Sequence, residues 1–373
     1  MMYKKKIAAC VLAAALGFGF MAEVPVSQAA TRAELAQISV NKKGTNFKYW
    51  NKEGVPYQQL TSFVKDVTNP KSKNFIPQKD RIAVFDLDGT LICETAPSYF
   101  EWMMYLDRAL NDSTFKPKAE DKAYAEEVKK AIETVGIPNP KPDAKSKMPS
   151  GMDRQQAVSQ NSVFAGMTQP EYEAYVKKFM ETPTEGLTNL KWGEAFYLPM
   201  VEVISYLTAN DFKVFIVSGT DRQILRILSD GVLPIPKDRI VGTDITWLAS
   251  HQQGKDGLEY VYQKNDEVLR GEFILKNIKM NKVDNIARDI GQQPVLAFGN
   301  SSGDSSMFNY TITGNKYKSL AFALCCDDLD RELGSQSKAD KMRADCEKYG
   351  WIPVSMKDDF KTIYGDNVKR ADK

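Results

Sequence analysis

Histidine is what this sequence has least of. One residue, His251, among 373 excludes sites that need several imidazoles: His-rich zinc and binuclear phosphatase centres, two-histidine phosphoryl-transfer sites and HExxH proteases. A Ser-His-Asp hydrolase would have to use His251 alone, and no G-x-S-x-G elbow accompanies it. His251 follows Trp247 in a polar segment, which predicts a surface position away from any site. Long apolar runs are also scarce. The longest, Ile7 to Met21, has 15 residues, short of the roughly 18 that mark a membrane-spanning helix. Neither sign of charge dominates, with 50 basic and 48 acidic residues, and no internal repeat or low-complexity tract is present. Catalysis in such a chain falls to carboxylates, lysine and a metal.

The one apolar run has a specific meaning. Lys4, Lys5 and Lys6 precede it, and the small residues Ser27 and Ala29 follow at the minus-three and minus-one positions of a cleavage site, the pattern of a secretory signal peptide over 1–29. Cys10 is not a lipoprotein cysteine, because the apolar run continues past it. Cleavage would remove three lysines and Glu23, leaving 47 residues of each sign. A formally neutral chain argues against nucleic acid or an anionic membrane as partner. Export to the periplasm or beyond also makes disulfides possible among Cys93, Cys325, Cys326 and Cys346, with a bridge from Cys346 to one of the vicinal pair the leading pairing and buried free thiols the alternative.

Residues 30–80 are polar and punctuated by Gly and Pro, which predicts an N-terminal arm with a short helix over Gln58 to Val67. Four apolar runs then read as buried strands: Arg81–Phe85, Phe212–Val217, Pro294–Phe298 and Ser319–Leu324. Helical periodicity over Glu194–Ala209, Asp221–Leu228 and Lys282–Ile290 alternates with them. The fold class is therefore α/β, a Rossmann-like parallel sheet with helices on both faces and a ligand site at the carboxyl ends of the strands. The core would comprise 81–90 and 192–364. Between its parts, 91–191 reads as a helical cap, with apolar stripes around Tyr99–Leu110 and Tyr124–Val135, an exposed Pro/Lys-rich loop over Pro138–Pro149, and a Thr168/Glu171 capping box. Residues 365–373 read as a frayed tail.

The chemistry lies where the first strand ends. Phe85-Asp86-Leu87-Asp88-Gly89-Thr90 sets two carboxylates two residues apart just past a buried strand, before a glycine that permits a sharp turn. Two such aspartates repel and are costly to desolvate without a cation, so Mg²⁺ is their natural companion. An Asp-x-Asp metal site of a glycosyltransferase or nucleotide binder would leave Gly89-Thr90 and the later motifs unexplained.

With three further pieces in order, the sequence resembles the haloacid dehalogenase superfamily, in its phosphoserine-phosphatase-like branch. Ser218-Gly219-Thr220 follows the second strand, Lys282 precedes the helix before the third, and Gly299-Asn300-Ser301-Ser302-Gly303-Asp304 ends the third. An exported bacterial subgroup is similar in Arg81-Ile-Ala-Val-Phe-Asp and Phe298-Gly-Asn-Ser. The resemblance implies a phosphomonoesterase in which Asp86 is the nucleophile and Asp88 the general acid and base. Ser218, Gly219 and Lys282 would bind the phosphoryl group, and Asp86, the Asp88 carbonyl, Asn300 and Asp304 would serve Mg²⁺. Dehalogenases, P-type ATPases and phosphonatases lack the second aspartate. Asn300 replaces the usual acidic residue, which implies weaker metal binding and motivates a rival reading as an exported binding protein with little catalysis. For the substrate, a small phosphomonoester, Glu94 would face an ammonium or hydroxyl, or Tyr99, Phe100, Trp102 and Tyr105 would cage a quaternary ammonium such as phosphocholine; the competing reading makes Glu94 a hinge residue and these aromatics cap core.

Overall fold

The computed structural model describes residues 29–93, 98–135 and 151–371. The signal segment before Ala29, Glu94 and the Pro138–Pro149 loop lie outside the described residues. The first strand, β1 (Ile82–Phe85), is buried along its whole length. Its side chains alternate between two cores, Ile82 and Val84 on one face and Ala83 and Phe85 on the other, as a strand covered on both sides requires. β2 (Lys213–Asp221), β3 (Ile240–Ala249), β4 (Val268–Leu275), β5 (Leu296–Gly299), β6 (Leu320–Cys325) and β7 (Ile352–Ser355) complete a sheet of order β4-β3-β2-β1-β5-β6-β7. Every pairing is parallel except β3 with β4. The sheet thus departs from the all-parallel expectation at one edge. β1 sits between β2 and β5, so the chain order turns in opposite directions on its two sides, the place where an open α/β sheet forms a crevice. Phe85, Phe298 and Phe322 stand in register across three strands and stack, with ring centroids 4.3 and 4.9 Å apart. Burial of each ring contributes about 2 kcal/mol.

In chain order the helices are α1 (Arg32–Ala36), α2 (Val55–Thr68), α3 (Phe100–Leu106), α4 (Ala119–Val135), α5 (Met152–Phe164), α6 (Gln169–Met180), α7 (Leu198–Ala209), α8 (Arg222–Ser229), α9 (Met280–Asn285), α10 (Ser305–Ile312), α11 (Gln336–Tyr349) and α12 (Met356–Asp359). α7 begins later than its periodicity suggested because Pro199 occupies its first turn. α6 has the predicted capping box, Thr168 with Glu171. Among the described residues no helix is long and apolar enough to cross a membrane.

The helices between β1 and β2 form the cap, joined to the core by buried polar contacts. Arg270 of β4 is fully buried; its Nη2 lies 2.6 Å from Asp221 Oδ2 and its guanidinium 3.7 Å from the centroid of the Tyr172 ring on α6. Asn161 of α5 donates to the Gly271 carbonyl at 2.7 Å. Glu101 of α3 accepts from the Asp221 N–H at 3.0 Å and from Lys276.

Both ends of the described residues are woven into the core. The N-terminal arm contributes Leu35, Phe47, Trp50 and Phe63 to the larger apolar cluster. Its backbone meets the far end of the chain, Asn51 N–H to Asp359 O and Lys361 N–H to Tyr49 O, each at 2.8 Å. The expected frayed tail is corrected as far as Ala371. Val368 fills the core, and Thr188 N–H to Lys369 O (2.8 Å) and Ala371 N–H to Gly186 O (2.9 Å) hold the backbone. Cys93, Cys325, Cys326 and Cys346 are buried thiols outside any disulfide. Cys325 and Cys346 share the smaller core cluster, whereas Cys326 belongs to the larger one on the other sheet face.

Candidate active site

At the end of β1 the ladder continues one residue, with Asp86 N–H donating to Phe298 O at 2.9 Å. The chain then turns through Gly89 at φ 73°, a left-handed conformation suited to glycine. Thr90 and Leu91 N–H both close onto the Leu87 carbonyl, at 3.0 and 2.7 Å. That turn brings Asp86 and Asp88 to one cavity of about 330 Å³ at the carboxyl ends of the central strands, which Lys282 and Asp304 also line.

Lys282, on α9, is the hub. Its Nζ lies 2.6 Å from Asp86 Oδ1, 2.6 Å from Asp304 Oδ1 and 2.7 Å from the Val217 carbonyl. Burial alone lowers the pKa of this ammonium, but the charges of Asp304 and Asp86 outweigh it and the net shift is upward. Asp86 is pushed up to about 7, first by burial and then by the charge of Asp304, with Lys282 opposing. Asp304 Oδ2 accepts from the N–H groups of Asn300 and Ser301, both at 3.0 Å, which fixes the loop after β5. A Cβ on Gly299 would lie 2.6 Å from Asp304 Cγ, so a side chain there would displace that carboxylate.

The residues fit a divalent cation in charge and in chemistry. The cavity wall carries the carboxylates of Asp86, Asp88, Glu101, Asp153 and Asp304 against the ammonium groups of Lys276, Lys279 and Lys282, a formal excess of two negative charges. Its available donors are hard oxygens, including the Asn300 amide, as Mg²⁺ prefers. Among the described residues no three acidic, Cys or His side chains converge as a ready-made cage. Lys282 stands between Asp86 and Asp304, so backbone, amide and water oxygens would have to complete the shell.

Of the residues expected from sequence, Asp86, Asp88, Gly219, Lys282, Asn300, Asp304, Tyr99 and Trp102 all line this cavity. Ser218 does not. It is fully buried, and its Oγ accepts from the Thr220 N–H at 3.3 Å, one residue behind the wall. The four-ring cage is corrected as well. Phe100 packs edge-on against Phe179 and Trp192 in the cap core, and the Tyr105 hydroxyl donates to the Asp121 carbonyl at 2.7 Å. Tyr99 and Trp102 alone of the four reach the cavity, edge-to-face with centroids 5.8 Å apart. His251 is exposed, as its polar segment implied, with Nδ1 2.8 Å from Asp266 Oδ1.

Among the lining residues given no role from sequence are Thr220, Glu101, Lys276 and Lys279. The Thr220 hydroxyl donates to Asp88 Oδ2 at 2.7 Å. Glu101 and Lys276 form a buried ion pair on the wall, and Lys279 stands at φ 55°, ψ −126°, rare for a residue with a side chain. Thr220 had the clearest signal, lying two residues after the strand-end serine; the Glu101–Lys276 pairing had none, since the two are 175 residues apart.

The haloacid dehalogenase-like hydrolase family profile matches residues 83–309, a span that contains every residue of the cavity wall. No curated protein matches the sequence. A conserved protein of unknown function from Anaerococcus prevotii is similar over 84% of this chain and 95% of its own, at 13% identity and a TM-score of 0.48. Cytosolic 5'-nucleotidase IIIB bound to cytidine is similar over 82% of this chain and 86% of its own, at 12% identity and a TM-score of 0.45.

Proposed function

This chain belongs to the haloacid dehalogenase-like hydrolases, and on that premise we propose that it is a Mg²⁺-dependent phosphomonoesterase acting on a small phosphorylated metabolite. The observation that carries the reading is Lys282, whose Nζ lies 2.6 Å from both Asp86 and Asp304 in a cavity that Asp88 also lines. An ammonium there offsets the charge of a bound phosphoryl group, as phosphoryl-transfer sites require.

In the first step an Asp86 carboxylate oxygen attacks phosphorus and the bond to the leaving oxygen breaks, giving an aspartyl-phosphate. Asp88 gives its proton to that leaving oxygen. In the second step water attacks phosphorus, Asp88 takes its proton back, and inorganic phosphate leaves with Asp86 restored. Thr220 holds the Asp88 carboxyl in place, and the backbone around Gly219 faces the phosphoryl oxygens. Mg²⁺, held by Asp86, the Asp88 carbonyl and Asn300 or Asp304, would supply charge neutralisation of those oxygens. The cap over the site would exclude bulk water and set the leaving group.

The reading extends to the phosphoserine-phosphatase-like branch and its exported subgroup, with 1–29 a cleaved signal peptide, 81–90 plus 192–364 the catalytic core, and 91–191 the cap. Asn300 favours one alternative, an exported binding protein of this fold with weak catalysis, since an amide brings no charge to the metal. Release of phosphate from p-nitrophenyl phosphate decides between them. The enzyme requires Mg²⁺-dependent turnover that chelation and Asp86→Asn both abolish; no turnover across a broad phosphomonoester panel leaves the binding protein.

A further inference from the structure

The catalytic cavity does not end at its own wall. Tyr99, Asn300, Ser301 and Ser302 line both it and a second groove of about 170 Å³, roughly the space of six waters. The two spaces therefore meet over the loop after β5. The floor of the groove is apolar, made by Leu324, Cys326 and Met342. One wall is the face of α11 that also carries Met342, where Lys338, Lys341 and Asp345 recur at helical spacing.

The charges on that wall are unequal. Lys341 is paired with Asp345 at 2.5 Å. Lys338 is half-buried, and its ammonium has no ion pair or hydrogen bond among the described residues. A lysine on a groove wall whose ammonium has no partner is available as a receptor for an anion. It also stands beyond an apolar floor that a short hydrocarbon stem would cover.

We infer that this groove is the leaving-group subsite, and that the substrate is a phosphomonoester whose alcohol carries a short apolar stem ending in an anionic group, received by Lys338. The inference rests on the phosphomonoesterase reading and specifies its substrate class. A cationic leaving group such as choline would meet the wrong charge here, so the groove and the rejected aromatic cage point to opposite substrates.

Three matched esters test it: hexyl phosphate, its terminal carboxylate analogue and its terminal trimethylammonium analogue, each assayed for kcat/KM beside p-nitrophenyl phosphate. The carboxylate ester should exceed hexyl phosphate by about tenfold, the size of a charge-assisted contact discounted for partial exposure. The ratio of those two constants within one variant cancels any general loss of activity. Lys338→Gln should bring that ratio to about one, and Lys338→Glu should turn the preference to the ammonium ester. Equal constants for the three esters, a preference for the ammonium ester in the wild type, or a carboxylate preference that survives Lys338→Gln would each overturn the inference while p-nitrophenyl phosphate turnover left the phosphatase reading standing. Loss of that turnover in the wild type would instead strike the phosphatase reading, and this inference with it.

Discussion

Thr220→Val isolates the contribution of one hydroxyl to proton transfer. The Thr220 side chain is 4% exposed, and its Oγ1 lies 2.7 Å from Asp88 Oδ2. Valine keeps the shape of threonine and removes only the donor, so packing around β2 is preserved. A hydrogen bond to a charged group in such surroundings contributes about 1.5 to 3 kcal/mol. At about 1.4 kcal/mol per decade of rate, the ceiling on the loss is roughly ten- to hundredfold. The loss should depend on the leaving group. p-Nitrophenolate departs with little help from an acid, whereas an alkoxide needs the proton of Asp88 as the bond to phosphorus breaks. Parallel measurement of kcat/KM for p-nitrophenyl phosphate and an alkyl phosphate should therefore show a small decrease for the first and most of the ten- to hundredfold decrease for the second. Thr220→Ser, which keeps the hydroxyl, should stay near wild type on both. Equal losses on the two substrates would refute a role in orienting the acid and leave Thr220 a packing residue.

Lys282→Met would leave Asp86 and Asp304, 7% and 1% exposed, without their common ammonium; a loss of about 3 to 5 kcal/mol is expected, read as a lower urea midpoint, and an unchanged midpoint would mean the pair is solvated. Asn300→Asp adds a charge to the cavity wall that Asp86 also lines, so half-maximal activity should need about tenfold less Mg²⁺; an unchanged or higher requirement would remove residue 300 from the metal's surroundings. Glu202 accepts from the N–H groups of Lys48 and Tyr49, yet burial pushes its pKa from 4.5 up to about 7. Between those values the folded chain binds more protons than the unfolded one, so this group adds stability as pH falls from 7 towards 4.5 and loses it as pH rises. Urea titrations at pH 7.5 and 5 should differ by about 2 to 3 kcal/mol more in the wild type than in Glu202→Gln, and identical pH slopes would refute the shift.

Continuous apolar runs made the middle of the sheet legible, because β1, β5, β6 and the Val214–Val217 stretch of β2 lie between helices on both faces and are apolar. β3 and β4 carry Thr243, Asp244, Thr246, Arg270 and Glu272, since they lie at the edge and are partly exposed, and no run marks them. The carboxylates, Lys282 and Asp304 could be found because a motif states its own order along the chain. Glu101 and Lys276 could not, since their roles come from tertiary contact and their residue types are ordinary, and Thr220 was marked only by lying two residues after Ser218. Periodicity likewise identified the apolar stripe of α3 but not what each ring meets: Phe100 turns to Phe179 and Trp192, and Trp102 to the cavity. Ser218 stands one residue behind the wall because β2 runs on to Asp221, past the expected strand end at Val217.

The pairing of residues 49–51 with 359–361, and of 186–188 with 369–371, bears on when the protein can fold. The N-terminal arm has its backbone partners about 310 positions further along the chain, and β1 needs β5, more than 200 positions later, on one flank. A chain still emerging from the ribosome therefore lacks the pieces that close its core, and long loop closures must come before the contacts that reward them. Closure of the core waits for residues 359–371. Removing that segment would cost the whole assembly its closure, and until it is made the preceding chain stays without its backbone partners.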